Sequence, residues 1–332
     1  MTPRERFTAV INFQKPDDRL PMLEWAPWWD KTTERWASEG LHITEQDALL
    51  KYFGLDDLKT LAVFSKSNIN IPEPAYHGAP VIKDEAGYNN IREYLFTDEN
   101  IEHAKQHAYK WKDAHERGEF SIRIWLDGFF WFPRSLFGIS EHFCAFYDHP
   151  ELMHRMNREH SDHCLRGMEE VFSILTPDMV GIAEDMSYNH GSMLSYDMYK
   201  EFILPYYKKI IPFVKSHGIK MLVDSDGKVD ELIPWFLEAG FDGIYPLERQ
   251  AGVDVAVIRE KYPDFIMLGG YDKMVMSKDE TAIRAEFERL LPVMKKGGFI
   301  PSVDHQTPPG VSLENYRTYL KLFEEYCYRA VK

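Results

Sequence analysis

Acidic or histidine side chains follow five short apolar runs in the second half of the chain. The side chains at these run ends are Glu184, Asp185, Asp224, Asp226, Glu248, Asp272, Asp304 and His305. Carboxylates and imidazole are the groups that proteins use for acid–base chemistry and for binding divalent metal ions. Apolar runs of this kind are typical of buried parallel strands, and a barrel of such strands collects their carboxyl ends around one mouth. The pattern therefore predicts a polar site at the mouth of a barrel.

The apolar runs alternate with predicted helices along the chain. Strands are predicted at 20–23, 58–63, 121–126 and 179–183, and four more at the runs that begin at Met221, Gly243, Met267 and Phe299. Strands separated by helices of this length imply a parallel sheet. We therefore predict an α/β fold in which one domain, residues 1–332, forms a (β/α)8 TIM barrel. Prolines and a turn sequence between residues 64 and 98 predict an inserted β-hairpin there.

The charge and the cysteine content exclude several classes of function. The formal net charge of −14 argues against nucleic acid or an anionic membrane as a partner, because both require a basic surface. The three cysteines are too scattered for a disulfide framework or a thiolate metal site. The chain has no apolar signal region, and its apolar stretches fall short of the roughly 18 residues that span a bilayer. We expect a cytoplasmic protein.

Aromatic side chains cluster after two of the predicted strands. The residues concerned are Glu24, Trp25, Trp28 and Trp29 after the first strand, and Phe129 and Trp131 after the third. Packing of loops over the barrel explains such clusters, and so does a pocket wall for an apolar, aromatic or cationic methylated group. The two interpretations are compatible. We expect these residues, with Glu184 and Asp272, to bind the substrate.

Three segments resemble the uroporphyrinogen decarboxylase superfamily, which also includes cobalamin-dependent methyltransferases. These segments are 221–229, 269–273 and the tail from Gly297 to Tyr316. The resemblance covers nearly the whole chain and implies a (β/α)8 barrel. It does not identify the reaction, because one fold supports several chemistries.

The chain differs from typical uroporphyrinogen decarboxylases where those enzymes grip their substrate. They carry an arginine-rich loop of the R-Q-A-G-R type after the first strand, which clamps substrate carboxylates. Here the corresponding stretch, 24–29, holds an acid and three tryptophans, which cannot grip a polycarboxylate. His305 does match a histidine in the tail of the decarboxylases. The resemblance therefore implies a superfamily member that is not a typical uroporphyrinogen decarboxylase.

The chain also differs from the methyltransferase branch at the metal position. Those proteins typically carry H-x-C after the fifth strand and another cysteine near the eighth, which together hold zinc. Here the two places read Asp224-Ser225-Asp226 and Val303-Asp304-His305, without cysteine. A metal at this position would need carboxylate and imidazole ligands, for which Asp224, Asp226, Glu248 and His305 are the candidates. Such a set suits zinc or another divalent ion.

The resemblance and the residues together favour a corrinoid-linked methyltransferase. Such an enzyme would demethylate a small O-methyl or N-methyl compound, with Asp226, Glu248 and His305 as catalytic residues. Its methyl acceptor would be cobalamin carried by a separate corrinoid protein. Two alternatives stay open, namely a decarboxylase (lyase) of a tetrapyrrole or another carboxylic acid, and a barrel that binds a ligand without catalysis. The oligomeric state is also open, a homodimer included.

Overall fold

Parallel strands form one curled sheet in the computed structural model, which describes residues 1–26, 28–66 and 69–332. The strands of this sheet are β1 (Leu58–Val63), β2 (Ser121–Asp127), β3 (Met179–Ala183), β6 (Lys220–Asp224), β7 (Gly243–Tyr245), β8 (Ile266–Tyr271) and β9 (Phe299–Val303). They are hydrogen-bonded in that order, and every neighbouring pair is parallel. Two short strands, β4 (Ser187–Tyr188) and β5 (Gly191–Ser192), pair antiparallel with each other. The predicted parallel α/β fold is confirmed.

Helices connect the strands and cover the sheet. They are α1 (Pro3–Ile11), α2 (Asp30–Ser38), α3 (Gln46–Phe53), α4 (Glu85–Ile91), α5 (Asp98–Glu116), α6 (Trp131–Phe137), α7 (Ile139–Asp148), α8 (Pro150–Phe172), α9 (Tyr196–Phe202), α10 (Leu204–Ser216), α11 (Ile233–Ala239), α12 (Val255–Lys261), α13 (Glu280–Met294) and α14 (Leu313–Ala330). Polar side chains define several helix starts, since Ser195, Asp279 and Ser312 each accept a hydrogen bond from the backbone N–H three residues later. These caps determine where the chain leaves each strand-end loop.

The curl of the sheet brings β2 and β7 face to face. Side chains alternate between the two faces of a strand, so Arg123 and Trp125 of β2 lie on the same face. The Trp125 ring lies 6.0 Å from the ring of Tyr245 on β7, although β3 and β6 separate the two strands in the sheet. This face therefore lines the concave interior. The carboxyl ends of the strands surround one mouth, as predicted.

The predicted first strand, Leu20–Leu23, is not a strand in the structure. Pro21 has no N–H to donate to a ladder, and the Met22 amide donates instead to the side chain of Asp56 (2.9 Å). The carbonyl of Met22 accepts the Asp56 amide, and the Leu20 amide donates to the carbonyl of Cys327 in α14. In the described part of the chain the sheet is consequently open between β1 and β9, rather than closed as an eight-stranded barrel.

The segment 64–98 differs from the predicted hairpin, because its described residues contain no strand. It forms α4 and a short 3-10 turn, Arg92–Tyr94; residues 67 and 68 lie outside the described residues. Asp84 starts α4 by accepting the Gly87 amide, and the buried Tyr88 donates from its hydroxyl to Glu159 of α8 (2.7 Å). The helix thus packs on α8, which a hairpin with the same sequence would not do.

The described helices were compared with the requirements for a membrane-spanning segment. Within the described residues, none combines the length and the apolar character that crossing a bilayer requires.

Candidate active site

Three aspartates converge at the mouth of the curled sheet. Asp224 ends β6, Asp226 follows two residues later, and Asp185 follows β3. One carboxylate oxygen from each residue lies within 4.8 Å of those from the other two. The backbone holds this arrangement, because the Asp226 amide donates to Asp185 Oδ1 (3.3 Å) and the Ser225 amide donates to the carbonyl of Tyr245 (3.0 Å). We call Asp185, Asp224 and Asp226 the aspartate cluster.

Burial and mutual repulsion make the aspartate cluster unfavourable as a set of bare negative charges. Burial, reinforced by the charge of Asp226, raises the pKa of Asp185 to about 6. Burial also raises the pKa of Asp224 well above its usual range, with Asp185 and Asp226 adding to the effect. In addition, the Oδ1 atoms of Asp224 and Asp226 are buried without a hydrogen-bond partner among the described residues. Carboxylates in this state favour a proton or a bound cation.

His305 lies at the edge of the aspartate cluster. Its Nε2 is 3.6 Å from Asp226 Oδ2, and its imidazole ring meets the ring of Trp25 edge-on, with 6.2 Å between the ring centres. Interaction with Asp226 is the main cause that raises the pKa of His305 above its ordinary value, against the opposing effect of partial burial. Asp226 therefore favours the protonated form of this imidazole.

Glu248 lies near the same mouth but has its own partners. Its Oε1 pairs with Lys273 Nζ at 3.1 Å, and its Oε2 accepts the backbone N–H of Gly227 at 3.1 Å. Lys273 Nζ also lies 3.5 Å from the fully buried Asp304, which accepts the amides of Arg249 and Lys273. Burial raises the pKa of Asp304 to about 6. The structure thus brings Asp224, Asp226 and His305 together and places Glu248 beside them, paired with Lys273.

Glu24 and Trp25 lie between the mouth and the open side of the sheet. Glu24 accepts hydrogen bonds from the hydroxyls of Ser302 (3.0 Å) and Tyr316 (3.1 Å), and burial raises its pKa to about 7. Trp25 donates its indole N–H to the carbonyl of Val303 (2.9 Å). These contacts hold both side chains in place, which is how a pocket wall is built.

Trp28 and Trp29 have different environments. Trp28 is buried and donates its indole N–H to the Tyr316 hydroxyl (3.0 Å), and its ring meets those of Trp36 and Phe53. Trp29 is 44% exposed. Packing therefore accounts for Trp28, whereas the Trp29 ring is free to meet a ligand.

Glu184 is surrounded by donors from the protein itself. Its carboxylate accepts the backbone N–H groups of Phe129, Phe130 and Trp131 at 2.9–3.2 Å, and the hydroxyl of Tyr207. Burial raises its pKa to about 7 despite these hydrogen bonds. Its carboxylate fixes the chain at the start of α6, where Phe129 is fully buried and Trp131 is half-buried.

Asp272 starts a 3-10 turn at the end of β8. Its Oδ1 accepts the Met274 amide (2.9 Å) and a hydrogen bond from the side chain of Gln250 (2.7 Å). This arrangement matches the helix-capping use of aspartate.

Sequence reasoning assigned no individual role to three residues that shape the site, although it counted Asp185 among the acids at the ends of the apolar runs. Asp185 completes the aspartate cluster, Lys273 pairs with Glu248, and Arg123 enters the concave interior from β2. Asp185 and Lys273 both stand at strand ends, so their positions were available as a signal. Arg123 lies within a predicted strand, where a charged side chain among apolar neighbours was the signal.

Comparison with a family profile identifies the family, and comparison with solved structures supports the fold. A profile of the uroporphyrinogen decarboxylase (URO-D) family matches residues 135–326, more than half of the chain. The solved structure of a methyltransferase from Methanosarcina mazei is similar with a TM-score of 0.63 and 14% identity, over 98% of this chain and 99% of that one. The endo-1,4-beta-xylanase XylE of Penicillium canescens is a weaker match, with a TM-score of 0.41 and 11% identity over 90% of this chain and 98% of that one. No curated protein sequence matches significantly.

Proposed function

The chain belongs to the uroporphyrinogen decarboxylase (URO-D) family, and from this premise we propose that it is a methyltransferase. It demethylates a small O-methyl or N-methyl compound, and the methyl group passes to cobalamin on a separate corrinoid protein. The observation that carries the proposal is the position of His305 beside Asp226, at the edge of the aspartate cluster. The methyltransferase among the structural neighbours is consistent with it, although at 14% identity that likeness concerns the fold.

His305 supplies the proton that such a reaction needs. When a methyl group is removed from oxygen or nitrogen, the heteroatom keeps the electron pair of the broken bond and must be protonated. Asp226, whose Oδ2 lies 3.6 Å from Nε2 of His305, raises the pKa of His305 and so favours the charged imidazole. A positioned general acid of this kind typically accelerates a reaction about 10²- to 10⁴-fold. Trp25 packs edge-on against the same imidazole ring.

A divalent cation fits the aspartate cluster. Three carboxylates and two buried oxygen atoms without partners form a set of hard ligands, which resembles the sites of Mg²⁺ or Mn²⁺. Asp185, Asp224 and Asp226 would hold the ion, and a bound cation would polarise the heteroatom of the methyl donor. Among the described residues Glu248 and His305 lie outside this group, so zinc with His305 and Glu248 as ligands stays a prediction.

A carboxy-lyase is the second candidate, and Glu24 is the observation that favours it. Its half-buried carboxyl group has a pKa of about 7, so it can hold a proton at neutral pH and deliver it to a product carbanion. Release of carbon dioxide from a carboxylic acid substrate would support this candidate, and methyl transfer would exclude it as the main activity.

An anaerobic assay tests the proposed function. Protein that retains its native metal is incubated with cob(I)alamin and a panel of methoxylated aromatics and methylamines, and methylcobalamin is followed spectroscopically. We expect transfer from at least one donor, and a loss of about 100-fold in His305→Gln. The control is His103→Gln, since His103 is an exposed histidine of α5 that should leave the rate unchanged. Absence of transfer from every donor would contradict the proposal.

A further inference from the structure

A cavity of about 340 Å³ lies beside β1, the edge strand of the open sheet. Lys59, Thr60 and Arg123 line it from the strands, Asp47 lines it from α3 and Trp111 from α5, and Glu24 and Trp25 complete the lining. This volume is at the small end of the range of about 300–1,000 Å³ that is typical of ligand pockets. None of the residues that line the cavity belongs to the aspartate cluster.

Arg123 is the unusual residue of this cavity. It is only 8% exposed, and its Nε donates to Thr60 Oγ1 (2.9 Å) while its guanidinium lies over the ring of Trp125 (4.5 Å). These two contacts fix the guanidinium group. The Tyr245 hydroxyl and the charge of Asp224 act on the guanidinium. Its Nη1 atom, however, is buried without a hydrogen bond of ordinary geometry, and no carboxylate among the described residues comes within 4.0 Å to form an ion pair with Arg123.

The contrast with Lys59 shows what Arg123 lacks. Lys59 lines the same cavity, and its Nζ pairs with Asp47 at 3.0 Å and with Asp57 at 2.8 Å. A guanidinium cannot relieve its burial by losing its proton, because its pKa in water exceeds about 12. An unpaired buried charge is costly, so proteins normally supply a counter-ion. At Arg123 the charge of Asp224 acts from beyond ion-pair distance, so the described residues supply no directly paired counter-ion, and the guanidinium borders a cavity.

We propose that the cavity beside β1 binds a small monocarboxylate, whose anionic group is the counter-ion of Arg123. A single negative charge is favoured because Glu24, Asp47 and Asp57 also line the cavity and would repel a dianion such as phosphate. The indole rings of Trp25 and Trp111 provide apolar walls, which suit a flat body attached to the carboxylate. This inference concerns binding alone and does not depend on methyl transfer.

Binding of benzoate and its neutral isostere benzamide to the unmodified protein tests the proposal. The two compounds have the same shape and differ in charge, so calorimetric titration isolates the contribution of the anion. We expect benzoate to bind at least about tenfold more tightly than benzamide, as for a charge-assisted hydrogen bond. Equal affinities, or no binding of benzoate, would overturn the proposal.

Substitution of Arg123 provides a second test. Arg123→Met keeps most of the side-chain length, and we expect it to abolish the preference for benzoate over benzamide. Without ligand this variant should melt at or above the temperature of the unmodified protein, because an unpaired buried charge has been removed. Arg117→Met is the charge-matched control, since Arg117 is an exposed residue that pairs with Glu119. Retention of the preference in Arg123→Met would refute the assignment, and misfolding of that variant would leave the benzamide comparison to decide.

Asp226→Asn separates this proposal from the proposed methyl transfer. The substitution removes a group of the aspartate cluster and leaves the residues that line the cavity unchanged. We expect this variant to keep only a small residual rate of methyl transfer and to keep its preference for benzoate. Loss of that preference together with methyl transfer would contradict a separate carboxylate site.

Discussion

Glu184 and Asp185 are adjacent in the chain, yet the structure uses their carboxylates in opposite ways. The carboxylate of Glu184 is enclosed by three backbone N–H groups and a tyrosine hydroxyl. Asp185 faces the other members of the aspartate cluster, where Asp224 and Asp226 each have a buried oxygen without a partner. Burial raises the pKa of both residues, so burial alone does not distinguish them. The number of hydrogen-bond donors does. The carboxylate of Glu184, which is surrounded by donors, stabilises the structure, whereas that of Asp185, which accepts one backbone N–H from Asp226, is available for chemistry.

The largest effect on stability is expected from Glu184→Ala. The substitution leaves three buried backbone N–H groups without their acceptor and opens a cavity, so we expect a loss of about 3–5 kcal/mol in the free energy of unfolding. Chemical denaturation monitored by circular dichroism measures this loss. Glu184→Gln keeps the volume and one acceptor oxygen and should lose less. A loss below about 1 kcal/mol in Glu184→Ala would show that Glu184 does not have the structural role that its hydrogen bonds indicate.

Asp224→Asn should raise the free energy of unfolding, whereas Glu184→Ala should lower it. Asparagine removes one of three repelling charges, so in the presence of a chelator we expect the free energy of unfolding to rise by about 1 kcal/mol at pH 7.5. The raised pKa values of Asp185 and Asp224 mean that their cost is absent at low pH and appears as the pH rises through the folded-state pKa, which is about 6 for Asp185. The advantage of Asp224→Asn should therefore be small at pH 4 and grow up to about pH 7. An advantage that did not change with pH would argue against repulsion as its cause.

A smaller effect is expected in the pH dependence of methyl transfer. The proposed proton donor is His305 in its charged form, and Asp226 raises its pKa. The rate should fall as the pH rises through that pKa, and in Asp226→Asn the fall should move to lower pH. Rates measured from pH 5.5 to 9 in the two proteins test this shift. A descending limb at the same pH in both would show that Asp226 does not control the proton on His305.

The sequence predicted the second half of the fold better than the first. Buried parallel strands have apolar sequences, which identified the strands from β3 to β9 that belong to the main sheet. The prediction of a strand at 20–23 was wrong. Pro21 cannot donate to a ladder, and Asp56, which is distant in sequence, accepts a hydrogen bond from the amide of Met22. The described residues of 64–98 do not form the predicted hairpin. Their turn-forming residues are equally consistent with a loop that leads to a helix, and Asp84 starts that helix.

For the candidate site, the sequence predicted which residues lie close together better than it predicted which side chains pair with each other. Asp224, Asp226 and His305 were expected together because they follow strands, and the structure places them together. The difference between Glu184 and Asp185 depends on the backbone, which takes a left-handed conformation at Asp185 with φ of 43°. No local pattern predicts that turn. The pairing of Glu248 with Lys273 likewise depends on the meeting of two strand ends that are distant in sequence.

The central claim is that the aspartate cluster is a functional centre and that its neighbour Glu184 is structural. Metal analysis of freshly purified protein and of three variants, Asp224→Asn, Asp226→Asn and Glu184→Gln, tests this claim most directly. We predict about one divalent ion per chain in the unmodified protein and in Glu184→Gln, and little or none in either aspartate variant. An unmodified protein without bound metal, even after incubation with Mg²⁺, Mn²⁺ and Zn²⁺, would contradict the account. Equal metal content in all four proteins would contradict it as well.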